Sequence, residues 1–318
     1  MQATIIGGGI TGLTVACMLE NLGINYQLYE ATPEFRHVGA GIILSPNALF
    51  VFDQLGLMPK LEAASFPLHR FDIVDQSGRL IQKNETAFEQ GGQAYHSLGI
   101  HRGDLQSILL ESIPQEKRHL GKRLAEYRPE LKHVTFDDGD EIPVDYLLAC
   151  DGIHSTVRQT IFPDAQLRYS GQTCWRGVAT TNLRPEQLNA PAEMWGEGVR
   201  FGYVPLAADQ TYWYATDAVP QNGKDDDLEG AKRDLEEMFR RFPSVVSEII
   251  SQTDHIIRHD LVDLALLSRW SAGSALLLGD AAHAMTPNLG QGAAQGIEDA
   301  WAIGNALSQH ANPREAFV

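Results

Sequence analysis

The fold is decided by the stretch Gly7-Gly8-Gly9-Ile10-Thr11-Gly12 near the start of this 318-residue chain. The stretch fits the pattern GxGxxG and lies between a predicted apolar strand at 3–6 and a predicted helix at 13–21. A second strand is predicted at 25–29 and ends at Glu30. Strand, glycine turn, helix and strand form one βαβ unit, which we expect to be parallel and right-handed.

This unit is suited to binding the ADP half of a dinucleotide. Gly7 allows the tight turn, Gly9 lets a diphosphate approach the backbone, and Gly12 lets the helix pack closely on the strand. Free N–H groups at the start of the helix point at the anion, and Glu30 can accept hydrogen bonds from a ribose. The alternative is an ordinary glycine turn beside a solvated Glu30. The motif does not separate FAD from NAD, since both contain this group.

Two later segments favour FAD. The DG segment, DGIHSTVR, begins at Asp151, and the GD segment, GDAAHAMTPNLGQG, contains Asp280 and ends at Gly292. Each carboxylate follows a predicted buried strand, at the edge where open α/β sheets bind ligands. Asp280 can accept hydrogen bonds from a ribityl chain, and the amides around Gly290 and Gly292 can stabilise negative charge on a reduced flavin. The alternative for both aspartates is a capped turn at the end of a strand.

The pattern of residue types changes in the middle of the chain. Aromatic and β-branched residues alternate with polar ones from 172 to 218, which predicts an antiparallel sheet. Two hairpins are predicted, with strands at 71–74 and 79–81 and at 134–136 and 142–150. Further helices are predicted at 47–55, 102–112, 234–242 and 292–309. No helix stop signal precedes Val318, so we expect the natural protein to continue.

Composition excludes several classes of protein. The net charge of −16 argues against nucleic acid and anionic membranes as partners. No apolar run approaches the roughly 20 residues of a membrane-spanning helix, and the N-terminus does not fit a signal peptide. Cys17, Cys150 and Cys174 are odd in number and widely spaced, which is typical of a cytoplasmic protein without disulfides. The histidines have no metal-ligand spacing, so no metal is expected.

In combination, the three motifs resemble the class A flavoprotein monooxygenases of the para-hydroxybenzoate hydroxylase fold. The resemblance runs from Ala3 to about Phe317. Arg102, in the stretch HRGDL, matches the family's arginine that contacts the FAD pyrophosphate, a charge-assisted contact for which arginine is suited. Arg36 is a further candidate cofactor contact, with a solvated loop arginine as the alternative.

The resemblance implies an α/β protein in which an antiparallel-sheet substrate domain is inserted into a Rossmann-type FAD-binding domain. The FAD-binding parts are expected at 1–70, 101–170 and 268–318, and the substrate-domain parts at 71–100 and 171–267. The absence of a second GxGxxG on a βαβ unit is consistent with a family in which the nicotinamide cofactor has no Rossmann domain of its own.

The implied activity is hydroxylation of a small aromatic substrate. NADH or NADPH would reduce FAD transiently, and the reduced flavin would convert O₂ to a C4a-hydroperoxide that transfers OH to the ring. The cofactor performs this chemistry while the protein orients the reactants and excludes water. The alternatives are an FAD-dependent reductase or dehydrogenase of the same fold, and a non-catalytic flavin-binding protein. Pro287, expected over the flavin, favours the monooxygenase.

Arg200 and Tyr212 are the candidate substrate residues, because the urate hydroxylases of this family have an arginine and a tyrosine at similar places. This pair would suit a planar anionic ring. Strand alternation predicts that Tyr212 and Tyr214 share one face and that Trp213 lies on the other. The alternative is that the aromatic residues form the core of the sheet and that Arg200 is a surface residue.

Overall fold

The computed structural model describes residues 2–35, 40–90, 92–225, 227–310 and 313–317. The strands, in chain order, are β1 (Ala3–Ile6), β2 (Tyr26–Glu30), β3 (Gly41–Leu44), β4 (Ser65–Leu68), β5 (Asp72–Asp75), β6 (Leu80–Gln82), β7 (Phe88–Gln90), β8 (Gln93–Tyr95), β9 (Ser97–His101), β10 (Arg118–Leu120), β11 (Leu124–Arg128), β12 (His133–Phe136), β13 (Glu141–Pro143), β14 (Tyr146–Ala149), β15 (Leu167–Thr180), β16 (Ala192–Trp195), β17 (Arg200–Pro205), β18 (Gln210–Asp217), β19 (Thr253–Leu264), β20 (Ser271–Ala272) and β21 (Ala275–Leu277). The helices are α1 (Ile10–Asn21), α2 (Pro46–Gln54), α3 (Met58–Ala63), α4 (Arg102–Glu111), α5 (Thr156–Ile161), α6 (Pro185–Asn189), α7 (Leu228–Met238), α8 (Ser244–Ser251), α9 (Asp280–His283), α10 (Gly292–Gln309) and α11 (Pro313–Ala316), with 3-10 turns at Gln115–Lys117 and Pro287–Leu289.

The central sheet has the strand order β10-β2-β1-β14-β21-β20. Every neighbouring pair in it is parallel except β20 and β21. All residues of β1, β14 and β21 are buried, as is typical of a parallel sheet covered on both faces. The carboxyl ends of β1, β2, β14 and β21 therefore meet at one edge, which brings together the glycine turn, Glu30, the DG segment and the GD segment.

The two faces of the central sheet are covered differently. Helices α1, α2, α4 and α10 contribute to a core on one face, while β11, β12 and α5 pack on the other. Helix α10 approaches α1 closely because Gly296 and Gly304 have no side chains. A Cβ at Gly304 would overlap Met18, and one at Gly296 would overlap Thr11. The predicted βαβ unit and the predicted helix at 292–309 are confirmed.

The second large sheet has the order β19-β15-β18-β17-β16-β5-β6. Its neighbouring strands are antiparallel except β5 and β16, so an antiparallel sheet in the middle of the chain is confirmed. One face packs on α7 and α8 through an apolar core that includes Phe201, Trp213 and Phe239. The small sheet β3-β9-β4 lies against the other face, where a Cβ on Gly41 would overlap Tyr212.

Three local predictions differ from the structure. The strand predicted at 142–150 is two strands, because β13 pairs with β12 whereas β14 enters the central sheet. The helix predicted at 234–242 begins earlier, at Leu228, because the Asp227 side chain accepts the Gly230 amide. Residues 97–100, expected within the substrate-domain part 71–100, belong to β9, and this strand pairs with β3 and β4 instead of the large sheet. None of the helices in the described ranges is long and apolar enough to cross a bilayer.

Candidate cofactor and substrate site

Two of the three glycines that define the motif, Gly7 and Gly12, have no room for a side chain. Gly7 has φ 102°, and a Cβ there would overlap the carbonyl oxygen of Cys150. A Cβ at Gly12 would overlap the carbonyl oxygen of Gly7. The turn is therefore packed directly on the end of β14, and only glycine is compatible with both positions.

Gly9 is different because open space lies in front of it. It precedes α1 with φ −68°, and a Cβ there would have no heavy atom within 4 Å. Helix α1 begins at the next residue, Ile10, and a helix N-terminus favours an anion. The turn is therefore tightly packed at Gly7 and Gly12 and open at Gly9, and this open space fits the diphosphate of FAD.

Glu30 is held at the rim of the same turn. One carboxylate oxygen accepts the Gly8 amide at 2.5 Å, and the other accepts the Thr32 amide at 2.7 Å. A carboxylate oxygen has two lone pairs, so both oxygens can still accept a ribose hydroxyl. The further candidate, Arg36, lies outside the described residues.

The GD segment begins with a turn that is fixed from α10. Gly279 has φ 57°, and its amide donates to Oδ2 of Asp299 at 2.7 Å. The same oxygen lies 2.7 Å from Nε2 of His283, at the end of α9. This ion pair raises the pKa of His283 although burial opposes it. Asp280, between these two anchors, is exposed at the carboxyl edge of the central sheet.

The DG segment is connected to the GD segment through Arg158. This buried guanidinium donates to the carbonyl of Ala281 at 3.0 Å and also to the carbonyl of Ile153. Asp151 accepts the Val157 amide, in the first turn of α5, at 3.2 Å. Burial raises the pKa of the Asp151 carboxyl. Its Oδ1 atom is buried without a hydrogen-bond partner in the described part of the chain.

Arg102 begins α4 directly after β9 and lies between the two large sheets. Its side chain is exposed to solvent, although enough protein lies around it to desolvate the guanidinium. Desolvation and the nearby Arg176 lower its pKa, while Asp280 and Tyr212 oppose that shift. The fold therefore brings Arg102 close to both the GD segment and the second sheet.

The end of the GD segment reaches the second sheet directly. Pro287 begins the 3-10 turn, which ends at Gly290 with φ 63°, and α10 starts at Gly292. Asn288, within that turn, accepts a hydrogen bond of 2.7 Å from Nη2 of Arg200.

One face of the second sheet, here called the polar face, turns towards this segment. Strand alternation is confirmed, because Trp213 is 0% exposed within the apolar core while Tyr212 and Tyr214 are partly exposed on the opposite side. The side chains of the polar face that concern the site are Arg176, Glu193, Trp195, Arg200, Tyr212, Tyr214 and His259.

Glu193 links several of these side chains, and the sequence interpretation did not identify it. It is 8% exposed and accepts hydrogen bonds from the indole of Trp195 at 2.5 Å and from the hydroxyl of Tyr214. Arg200 forms an ion pair with it at 3.6 Å. The sequence contained one signal, an acidic residue two positions from Trp195 in an alternating strand.

The polar face is cationic, although the whole chain has a charge of −16. Desolvation raises the pKa of Tyr212 to about 12, and desolvation together with Arg176 lowers the pKa of His259 to about 4. At neutral pH the phenol is therefore protonated and the imidazole is neutral. Within this face the two arginines, Arg176 and Arg200, outnumber the one carboxylate, Glu193, which favours a ligand with negative charge.

The chain is similar in sequence to known proteins. A family model described as "FAD binding domain" matches residues 1–315. The chain is 35% identical over 315 residues to the aurachin C monooxygenase/isomerase of Stigmatella aurantiaca, covering 98% of this chain and 82% of that protein. It is 33% identical over 310 residues to the 2-heptyl-3-hydroxy-4(1H)-quinolone synthase of Pseudomonas aeruginosa, covering 95% and 80%.

The fold also matches a solved structure. The crystal structure of Klebsiella pneumoniae HpxO complexed with FAD and uric acid superposes with a TM-score of 0.86 at 28% identity. The match covers 100% of this chain and 82% of that one.

Proposed function

This chain belongs to the FAD-binding family of flavoprotein aromatic hydroxylases, and on that premise we propose that it hydroxylates a small, planar, anionic aromatic or heteroaromatic ring with O₂ as oxidant. NADH or NADPH is the reductant typical of this family. The observation that carries the proposal is the cationic polar face, which bears Arg200 and Tyr212 and lies opposite the GD segment.

The proposed FAD contacts are distributed along the carboxyl edge of the central sheet. Gly7, Gly9 and Gly12 accommodate the diphosphate, Glu30 accepts from the ribose, and Arg102 pairs with a phosphate. The remaining contacts are proposed from the DG and GD segments, at Asp151, Asp280, Pro287, Gly290 and Gly292. Bound FAD supplies the redox chemistry that transfers electrons from the nicotinamide to oxygen.

Arg200 and Tyr212 are proposed to hold the substrate ring. The guanidinium of Arg200 would give the anion a charge-assisted hydrogen bond. Tyr212, with a pKa of about 12, keeps its proton and can donate a hydrogen bond that fixes the orientation of the ring. Two further relatives, at 31% and 29% identity, are named 3-amino-4-hydroxybenzoate 2-monooxygenase and 6-hydroxynicotinate 3-monooxygenase, and both names contain a ring acid.

The reaction balances as one substrate C–H, O₂, NAD(P)H and a proton giving the C–OH product, water and NAD(P)⁺. A reductase or dehydrogenase of the same fold would consume no O₂, and no observation favours it. The proposed location is the cytoplasm, where NAD(P)H is available.

The test is a turnover screen with purified protein reconstituted with FAD. Aromatic acids and their neutral amides are added with NADH or NADPH, and oxygen consumption, NAD(P)H oxidation and product mass are recorded. We expect one or more acids to stimulate both consumptions and to gain one oxygen atom that originates from ¹⁸O₂. Substrate-dependent NAD(P)H oxidation without oxygen incorporation would contradict the proposal.

A further inference from the structure

Tyr214, Gly202 and Glu193 lie side by side on three neighbouring strands of the polar face. Gly202 of β17 is the register partner of Tyr214 on β18 and of Glu193 on β16. A Cβ at Gly202 would overlap the ring of Tyr214. The phenol therefore lies across the glycine, and its hydroxyl reaches the Glu193 carboxylate.

The three groups around Glu193 all belong to the polar face. Trp195 and Tyr214 donate to different carboxylate oxygens, and Arg200 stands 3.6 Å from Oε1. That distance is beyond a hydrogen bond but within an ion pair, so Glu193 acts on Arg200 through its charge. Arg200 has its short hydrogen bond with Asn288 and a longer one, 3.5 Å, with Gln172.

We propose that Glu193 is a specificity-determining residue, whose negative charge beside Arg200 limits how strongly the site prefers anionic over neutral aromatic ligands. The inference rests on the proposed function, because it assumes that the ligand ring binds at the polar face. A carboxylate with little solvent around it is screened weakly, so its charge acts on both Arg200 and an anion bound there. In Glu193→Gln the carboxylate is replaced by an amide of equal shape, so the positive charge of Arg200 is less neutralised.

The test measures binding and needs no turnover. The FAD-loaded protein is titrated with 4-hydroxybenzoate and, separately, with 4-hydroxybenzamide, which differ mainly in charge at neutral pH. Dissociation constants come from the change in flavin absorbance. In Glu193→Gln the ratio of amide Kd to acid Kd should rise about fivefold or more relative to the unmodified protein.

Matched variants separate charge from packing. Glu186→Gln removes an exposed carboxylate elsewhere and changes the net charge equally, so its ratio should stay unchanged. Trp195→Phe removes one donor to Glu193, and Glu193→Asp retains the charge; both should keep the ratio within about twofold of the original. Circular dichroism and FAD content establish that each variant is folded.

Several outcomes would overturn the inference. The first is a ratio of amide Kd to acid Kd that is unchanged or lowered in Glu193→Gln. The second is an equal loss of affinity for both probes in that variant, or no binding of either probe. The third is a rise of the same ratio in Trp195→Phe as large as that in Glu193→Gln. If Glu193→Gln does not fold, a raised ratio in Glu193→Asp or Tyr214→Phe, which both keep the charge, contradicts it. Failure of the proposed function would instead be seen in the turnover screen, as an absence of oxygen incorporation.

Discussion

Arg200 and Asn288 are joined by a hydrogen bond of 2.7 Å, although they lie on different parts of the fold. Arg200 begins β17 of the second sheet, and Asn288 lies in the turn that ends the GD segment. An anion that bound the same Nη2 group would compete with the Asn288 amide oxygen. Ligand binding at the polar face, as proposed above, would thereby be coupled to the position of the turn that contains Pro287.

Arg200→Ala should raise KM for an anionic aromatic substrate at least about tenfold, because a charge-assisted hydrogen bond is lost. FAD content should remain intact, since Arg200 lies away from the glycine turn. Asn288→Ala is the matched control and should leave KM unchanged or lower it, because the competing acceptor is removed. Steady-state kinetics would contradict this if Arg200→Ala had an unchanged KM, or if the best substrate were neutral and aliphatic.

Gly9→Ala should weaken FAD binding, whereas Gly12→Ala should destabilise the fold. The open space at Gly9 accepts a methyl group, so the apoprotein should keep its Tm while FAD binds at least about tenfold more weakly. At Gly12 the methyl group would overlap backbone, so the fold itself should lose about 2–4 kcal/mol. Thermal melts of the apoproteins and FAD titrations distinguish the two. Normal FAD affinity in Gly9→Ala would show that the diphosphate binds elsewhere.

Arg102→Ala should weaken FAD binding by about 1.5–3 kcal/mol, the range for a hydrogen bond to a charged group. Arg102→Lys should lose less, because it retains the charge but not the planar fork of donors. The measurement is a titration of apoprotein followed by flavin fluorescence. An affinity equal to that of the unmodified protein would mean that Arg102 is not a pyrophosphate ligand.

Asp280→Ala should also lose flavin, and its apoprotein should melt at the original temperature. Asp280 is exposed, so its removal costs the fold little. Asp280→Asn, which keeps an acceptor oxygen, should retain part of the affinity. Should Asp280→Ala keep both FAD and full turnover, the interpretation of the GD segment would be wrong.

The ion pair between His283 and Asp299 should make stability depend on pH. The folded protein raises the pKa of His283 above its ordinary 6.5. Its contribution is therefore fully present below about pH 6.5 and is lost as the pH rises through the raised value. The Tm difference between the unmodified protein and His283→Gln should be largest near pH 6 and should shrink towards pH 9. A difference that grows with pH would contradict the pairing of a charged imidazole.

The sequence predicted best what local spacing determines. The βαβ unit around Gly7 and the helix at 292–309 are confirmed because turn glycines and hydrophobic periodicity are legible within a short window. Residues 142–150 were predicted to form one strand, because the local hydrophobic pattern does not change where the chain passes from one sheet to another after Pro143. The roles assigned to Glu30, Arg102 and Asp280 stay predictions.

The contacts that the sequence did not indicate are those between distant residues. Arg158 reaches Ala281, Glu193 meets Tyr214, and the Asp299 carboxylate fixes Gly279 from the neighbouring helix. Each depends on which strands become neighbours, and a single sequence taken alone contains no direct record of that. The burial of an arginine or a glutamate can be recognised only when the residues around it in the fold are known.

The pairing of β14 with β21 determines when the site can exist during protein synthesis. Strand β14 has β1 on one side and β21 on the other, and β21 is translated long after both. Until it emerges from the ribosome, β14 has an unpaired apolar edge, a hazard for association with other chains. Since the GD segment directly follows β21, its proposed contacts with FAD can form only after this late part of the chain has been synthesised. Pairing across so much of the chain also predicts slow maturation, because long loops must close first.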